Sequence, residues 1–161
     1  MNILVVIVLS VISATAIADS LLGLPPMPIP VGNVQNPKKA FTDGLEKAIG
    51  VNEAIGARNT PTLLNVGFFE QLFLDGRESS LEEQALKPIL NRIEHGFSDQ
   101  QSIIKIITTG ADYLTQFKKV FGVDKSTMST VHMKEAIASY ERTLISGNSS
   151  FDQYYFGRDK S

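Results

Sequence analysis

All of the chain's prolines except Pro88 fall between Pro25 and Pro61, and the same stretch holds Gly32, Gly44, Gly50 and Gly56. Proline fixes φ and withholds an amide donor, so no long helix can cross this region. The run "LLGLPPMPIPVGN" is therefore expected to be an extended arm. From Asn36 to Asn65 the breakers predict a long ordered loop with one short helix near Leu45 to Ile49. Loops of that length are uncommon without a function to organise them.

Beyond the loop the spacing is helical. Ser80 and Glu83 make an S-x-x-E capping box opening "LEEQALKPIL", and Ser98 with Gln101 repeats it before "SIIKIITTG". Ile103, Ile106 and Ile107 share a face there. "ADYLTQFKKVFG" puts Leu114, Phe117 and Phe121 at helical spacing and stops at Gly122. The longest helical segment is "TVHMKEAIASYERTLIS", with Met133, Ile137, Tyr140 and Leu144 on one stripe. No alternating strand pattern competes, so the expected class is all-α.

Residues Asn2 to Ser13 are almost wholly apolar and lead to Ala16-Ile17-Ala18, which reads as a secretory signal peptide cleaved before Asp19. The apolar run falls short of the roughly 20 residues a membrane-spanning helix needs. Export to the periplasm is the expectation. The remaining chain suits one core, since a domain of about 150 residues buries about two thirds of its unfolded surface. Fifteen basic side chains face seventeen acidic ones with no charged block, which favours neither nucleic acid nor an anionic membrane. The cysteine count is zero, which excludes disulfides, thiolate metal sites and thioether attachment of haem.

The strings "KAFTDG", "ARNTPTLLN", "LDGRESSLEEQALKPI" and "ASYERTLISGNSSFD", together with the leader "LGLPPMPIP", resemble the N-terminal haem domain of bacterial di-haem cytochrome c peroxidases, in particular the MauG-like branch. The resemblance implies a cytochrome c-like helical domain and haem c as cofactor. It implies reduction of hydrogen peroxide with electrons from a small cytochrome or, in the MauG-like branch, oxidation of a protein substrate. In the family the leader runs into a helix and then a loop ending in CxxCH, whereas here only "VGNVQNP" separates Pro30 from Lys38. The organisation expected is a signal peptide over 1–18, a proline-rich arm over 19–35 and an incomplete haem domain over 36–161, lacking the first helix, the attachment loop and the family's second haem domain. On that reading the chain carries no covalent haem and is inactive alone. The alternatives are a haem-free helical binding or structural module, or a remnant without function. Loss of the porphyrin would leave an apolar cleft open to self-association.

Site residues follow from the same resemblance. Gln84 and Glu94 fall on the family's peroxide-binding pair; a carboxyl can move a proton between peroxide oxygens while an amide holds them. Pro88 is expected to bend the chain at Gln84, because its ring clashes with that carbonyl, and so to turn both residues toward one pocket. Without the resemblance, Gln84 is a solvated helix residue and Glu94 a surface acid. Arg58 resembles a family arginine beside the haem, able to pair with a propionate; the plainer reading is a loop residue bonded to carbonyls. Asp75-Gly76-Arg77 matches the family's W-D-G-R with Leu74 in place of the tryptophan, and is otherwise a turn closed by its aspartate. Val51 stands where the better-known peroxidases carry a histidine after "IG", and a valine cannot ligate iron. His95 and His132 are the only imidazoles. Each is expected to be structural, as are Met27, Met128 and Met133, and no residue cluster has metal-ligand spacing. No nucleophile elbow or phosphate loop occurs.

Overall fold

A computed structural model describes residues 36–157. The expected signal peptide and proline-rich arm lie outside the described residues. Within them the chain is all-α, with three isolated antiparallel bridges and no strand. In chain order the helices are α1 (Leu81–Ala85), α2 (Lys87–Leu90), α3 (Gln100–Thr109), α4 (Ala111–Phe121), α5 (Thr130–Glu141) and α6 (Ser150–Phe156).

The long loop is ordered, but Leu45–Ile49 is not helical. Its backbone groups are committed across the loop instead. The Ala48 amide donates to the Arg58 carbonyl at 2.8 Å, the Gly56 amide donates to Ala48 at 2.8 Å, and Ile49 bridges Ile55. Single 3-10 turns form on either side, at Pro37–Lys39 and Val51–Glu53. The Thr42 hydroxyl donates to the Thr60 carbonyl at 2.8 Å, which ties "KAFTDG" to "ARNTPTLLN". Asn65, in the left-handed region at φ +62, fastens that second string to the chain beyond α5. Its amide nitrogen donates to Ser146 at 3.0 Å and its oxygen accepts from the Ser146 amide at 2.9 Å.

The helix caps match the expected positions with three changes. The Ser80 hydroxyl accepts from the Glu83 amide at 3.2 Å, but the Glu83 carboxylate pairs with Lys134 of α5 rather than reaching back. Asp99, not Ser98, caps α3, accepting from the Ser102 amide at 2.8 Å; a carboxylate is at least as good an N-cap as a hydroxyl and meets the helix dipole with charge. Helix α5 stops at Glu141 because Thr143 turns back onto Tyr140 and the Leu144 carbonyl is taken by Asn65. In α4, Tyr113 and Phe117 face the core and Leu114 is half-buried. Helix α6, with a capping box between Ser149 and Asp152, was not legible from apolar spacing.

Ile103, Ile107, Phe117 and Met133 are the largest side chains sealed from water, and α5 runs through the middle of this core. Helix α1 packs on α5, and two ion pairs line the seam: Arg142 with Glu82 in a two-pronged contact at 2.7 and 3.1 Å, and Lys134 with Glu83 at 2.8 Å. Exposed pairs of this kind add about 0–1 kcal/mol each, so they set register more than stability.

Glu141 sits beside this seam, 3% exposed, and its Oε2 has no hydrogen-bond partner among the described residues. Burial pushes its carboxyl up to about 8, opposed by the Arg142 charge and reinforced by Glu82. An unfolded glutamate ionises near 4.3. Between those two values the unfolded chain releases a proton that the folded chain keeps, so stability falls as pH rises through that window. The melting temperature is expected to drop from pH 5 to pH 8, and Glu141→Gln to flatten that decline and raise the melting temperature at pH 8; thermal melts across pH check both.

Candidate functional site

Three segments converge on a cavity of about 370 Å³, a size typical of small-molecule sites. They are the loop from Ala48 to Leu63, the turn carrying Asp75 and Arg77, and the stretch from Gln84 through His95. Arg58, Gln84, Pro88 and Glu94 all line this one cavity, together with His95.

Pro88 contributes in a different way from the expected bend at Gln84. The helix is interrupted at Leu86, whose amide turns back to the Gln84 carbonyl, and Pro88 lies in the first turn of α2, where no amide donor is needed. The break lets α1 end with the Gln84 side chain at the cavity while α2 leads to the turn bearing Glu94. Gln84 Oε1 is buried without a hydrogen-bond partner among the described residues. A buried amide oxygen left open costs stability unless a ligand or water fills it.

Glu94 is half-buried. Its Oε1 accepts from Asn91 Nδ2 at 2.8 Å. Burial raises its carboxyl above the usual glutamate range, against the opposing Arg77 charge and the Asn91 hydrogen bond. A carboxyl whose neutral form is favoured by burial is better suited to proton transfer than a fully solvated one.

The turn that presents Glu94 and His95 is gripped from outside. The Val51 amide donates to the carbonyls of both Ile93 and Glu94, at 3.0 and 3.1 Å. Gly50 makes this approach possible, since a Cβ there would lie 1.8 Å from the Ile93 oxygen. Val51 thus serves the site through its backbone. Glycine followed by an apolar residue was the only sequence signal for it, and a backbone donor leaves no mark in side-chain chemistry.

At the cavity mouth Asp75 joins two guanidiniums, Arg58 at 2.9 Å and Arg77 at 2.9 Å. Although desolvation pushes the Asp75 carboxyl up, the hydrogen bonds and charges of Arg77 and Arg58 together hold it below the usual range. Arg77 also lies 3.6 Å over the Phe73 ring. Phe73 is in the left-handed region at φ +62, a strained backbone for an aromatic residue, and this delivers its ring beneath the guanidinium. Asp75-Gly76-Arg77 is therefore a turn and a charge clamp for Arg58 at once. Leu74 and Ile93, 56% and 41% exposed, add apolar surface to the cavity lining.

The two imidazoles differ. His132 is consumed by the N-terminus of α5: its Nδ1 accepts from the Ser129 amide at 3.2 Å and its ring packs against Phe121. His95 lines the cavity, with Nδ1 3.0 Å from the Pro88 carbonyl. Burial lowers its pKa, against the raising effect of that bond, so the ring is neutral at pH 7. A neutral ring whose Nδ1–H donates to a carbonyl leaves Nε2 as an open lone pair.

Residues 35–160 match the family described as di-haem cytochrome c peroxidase. The chain is 32% identical to the methylamine utilization protein MauG of Methylophilus methylotrophus over 78% of its own length and 37% of that protein. It is 37% identical to the cytochrome c551 peroxidase of Nitrosomonas europaea, over 72% of this chain and 34% of that one. Its fold superposes on a MauG-like protein associated with microbial copper homeostasis with a TM-score of 0.70 and 28% identity, covering 80% of this chain and 38% of the other. The chain belongs to the di-haem cytochrome c peroxidase family. It spans a little over a third of the length of these relatives.

Haem c attached by thioether bonds does not fit this chain, which has no cysteine. The open Gln84 oxygen and the open His95 nitrogen do fit a ligand held in the cavity without such bonds.

Replacing Gly50 by alanine is expected to lower stability by about 1–3 kcal/mol, because the Ile93 backbone must shift. Gly147→Ala, where an added Cβ meets nothing, is the matched control and is expected to be near neutral in the same urea titration.

Proposed function

We propose that this chain is an exported, periplasmic relative of the di-haem peroxidases that keeps the proton-handling side of the peroxide site and does not reduce peroxide as a bare polypeptide. The observation that carries this reading is the convergence of Gln84 and Glu94 on one cavity, with burial raising the Glu94 carboxyl above the usual glutamate range. Haem, when bound, supplies the two electrons that cleave the O–O bond. The protons are the chain's part. Glu94 accepts a proton from one peroxide oxygen and returns it to the other, which leaves as water, while the Gln84 amide holds the peroxide. Arg58, kept in place by Asp75, offers its remaining donors to a propionate. The electron source on this reading is a small cytochrome or an oxidisable protein substrate, as in the family.

A second reading is a haem-free binding or structural module, with self-association through the cavity's apolar lip. The closed core favours it, since α1, α3, α4 and α5 seal Ile103, Ile107, Phe117 and Met133 from water with protein atoms alone.

Expression in a periplasm equipped for haem attachment distinguishes the two. The purified polypeptide is expected to have its unmodified mass and to consume no peroxide. Once loaded with haemin it is expected to turn peroxide over, and Glu94→Gln to lower that rate by about 10²-fold or more. Equal rates for the two loaded proteins would remove Glu94 from the chemistry, and a loaded wild type without turnover favours the haem-free module.

A further inference from the structure

Helix α6 turns four aromatic side chains to solvent. Phe151, Tyr154, Tyr155 and Phe156 are each between 65% and 75% exposed, and the helix's single charged side chain, Asp152, is used in the capping box with Ser149. The rings support one another: Phe151 stacks on Tyr155 with centroids 5.6 Å apart, and Tyr155 meets Phe156 edge-on at 4.9 Å. Uncharged aromatic surface gathered on one short helix marks an interaction site.

A second copy of the chain is a poor occupant. Aromatic side chains offer about 150–250 Å² each, so the exposed parts of four present on the order of 500 Å², short of the roughly 800 Å² per partner that a stable interface buries. A segment tethered to the same molecule needs less contact, because its effective concentration is about millimolar. The chain supplies such a segment. From Ser20 to Pro37 no residue is charged, and Leu22, Pro25, Pro28 and Val31 recur at every third position. A polyproline II helix has three residues per turn, so that spacing makes one apolar edge, and its carbonyls have no internal partners. Proline rings dock on aromatic surfaces at little conformational cost, and tyrosine hydroxyls can donate to the open carbonyls.

The reach is sufficient. The Phe41 amide donates to the Asn36 carbonyl at 2.9 Å, the Ala40 carbonyl accepts from the Thr62 hydroxyl, and Asn65 is clasped to Ser146. Between Asn36 and Ser149 this path leaves two stretches, Thr62 to Asn65 and Ser146 to Ser149, of about 10 Å each at full extension. The segment from Pro25 to Gln35 covers about 34 Å as polyproline II, enough to bring its prolines onto α6.

We propose that the proline-rich segment around Pro25 to Pro30 docks on the aromatic face of α6 of the same molecule. The contact is separate from the cavity and independent of peroxide chemistry.

The chain has no cysteine, so an engineered pair reads the contact without interference. Met27→Cys is combined with Ser150→Cys, one helical turn before Tyr154, which keeps all four aromatics, and the full purified chain is oxidised mildly at low concentration. The control combines Met27→Cys with Val131→Cys in the first turn of α5, where Val131 is 53% exposed. Val131 is also within the segment's reach, since Phe41 meets Tyr140 and Val131 lies about 14 Å further along α5. The Ser150 pair is expected to form an intramolecular disulfide about tenfold faster than the control, through the higher effective concentration of a docked segment. Replacing Pro25, Pro26, Pro28 and Pro30 together by serine, or Phe151 and Tyr154 together by alanine, is expected to bring that rate down to the control's, with circular dichroism showing the fold retained. Equal rates for the two pairs overturn the proposal, as does a fast rate that survives both sets of replacements. Disulfide-linked dimers in place of the intramolecular product also overturn it, and make α6 an interface between copies.

Discussion

The site depends on one bifurcated contact, the Val51 amide shared between the carbonyls of Ile93 and Glu94. The cavity's carboxyl and its imidazole, Glu94 and His95, sit on the turn that this amide holds. Asn91 reaches Glu94 within the turn, and His95 and its partner Pro88 lie at its two ends. The contact exists only because residue 50 has no side chain, so a proton-handling carboxyl is positioned by the absence of a methyl group some forty residues earlier in the chain. Side chains do the chemistry, and the long proline-bounded loop gives them their coordinates.

That division explains how much could be read from the sequence. Helices α1, α3, α4 and α5 announce themselves through apolar spacing and caps, because burying one stripe per helix is what holds them together. Helix α6 carries Phe151, Tyr154, Tyr155 and Phe156, all exposed, so no single-sided stripe marks it. The segment Leu45–Ile49 looks helical in isolation, but the Ala48 amide pairs with the Arg58 carbonyl across the loop and the Leu45 amide turns to the Asp43 carboxylate, a contest that local propensity cannot see. Gln84, Glu94, Arg58 and Pro88 were singled out through resemblance, and the fold gathers all four at one cavity. His95 abuts Gly96 at what the sequence presents as a helix end, which points to a structural role; only three-dimensional placement shows its ring at the cavity and its Nδ1 committed.

Motif strings that look chemical turn out to be largely architectural. Thr42 and Asn65 spend their side-chain polar groups on joining loop to loop, Thr60 takes part through its carbonyl, and Asp75 spends its carboxylate on fixing two arginines. An irregular loop has no repeating ladder to satisfy its backbone, and needs a particular partner for each buried group. In this chain those strings are therefore as much a recipe for an ordered coil as for a reaction.

The tie between Asn65 and Ser146 joins positions 81 residues apart. A local helix can form early, but this clasp has to wait until α5 has docked, and the cavity wall waits with it. Contacts so distant along the chain slow the search for the native arrangement. Any newly made molecule would thus assemble its helices first and its binding loop last, which leaves the pocket the final part of the protein to mature.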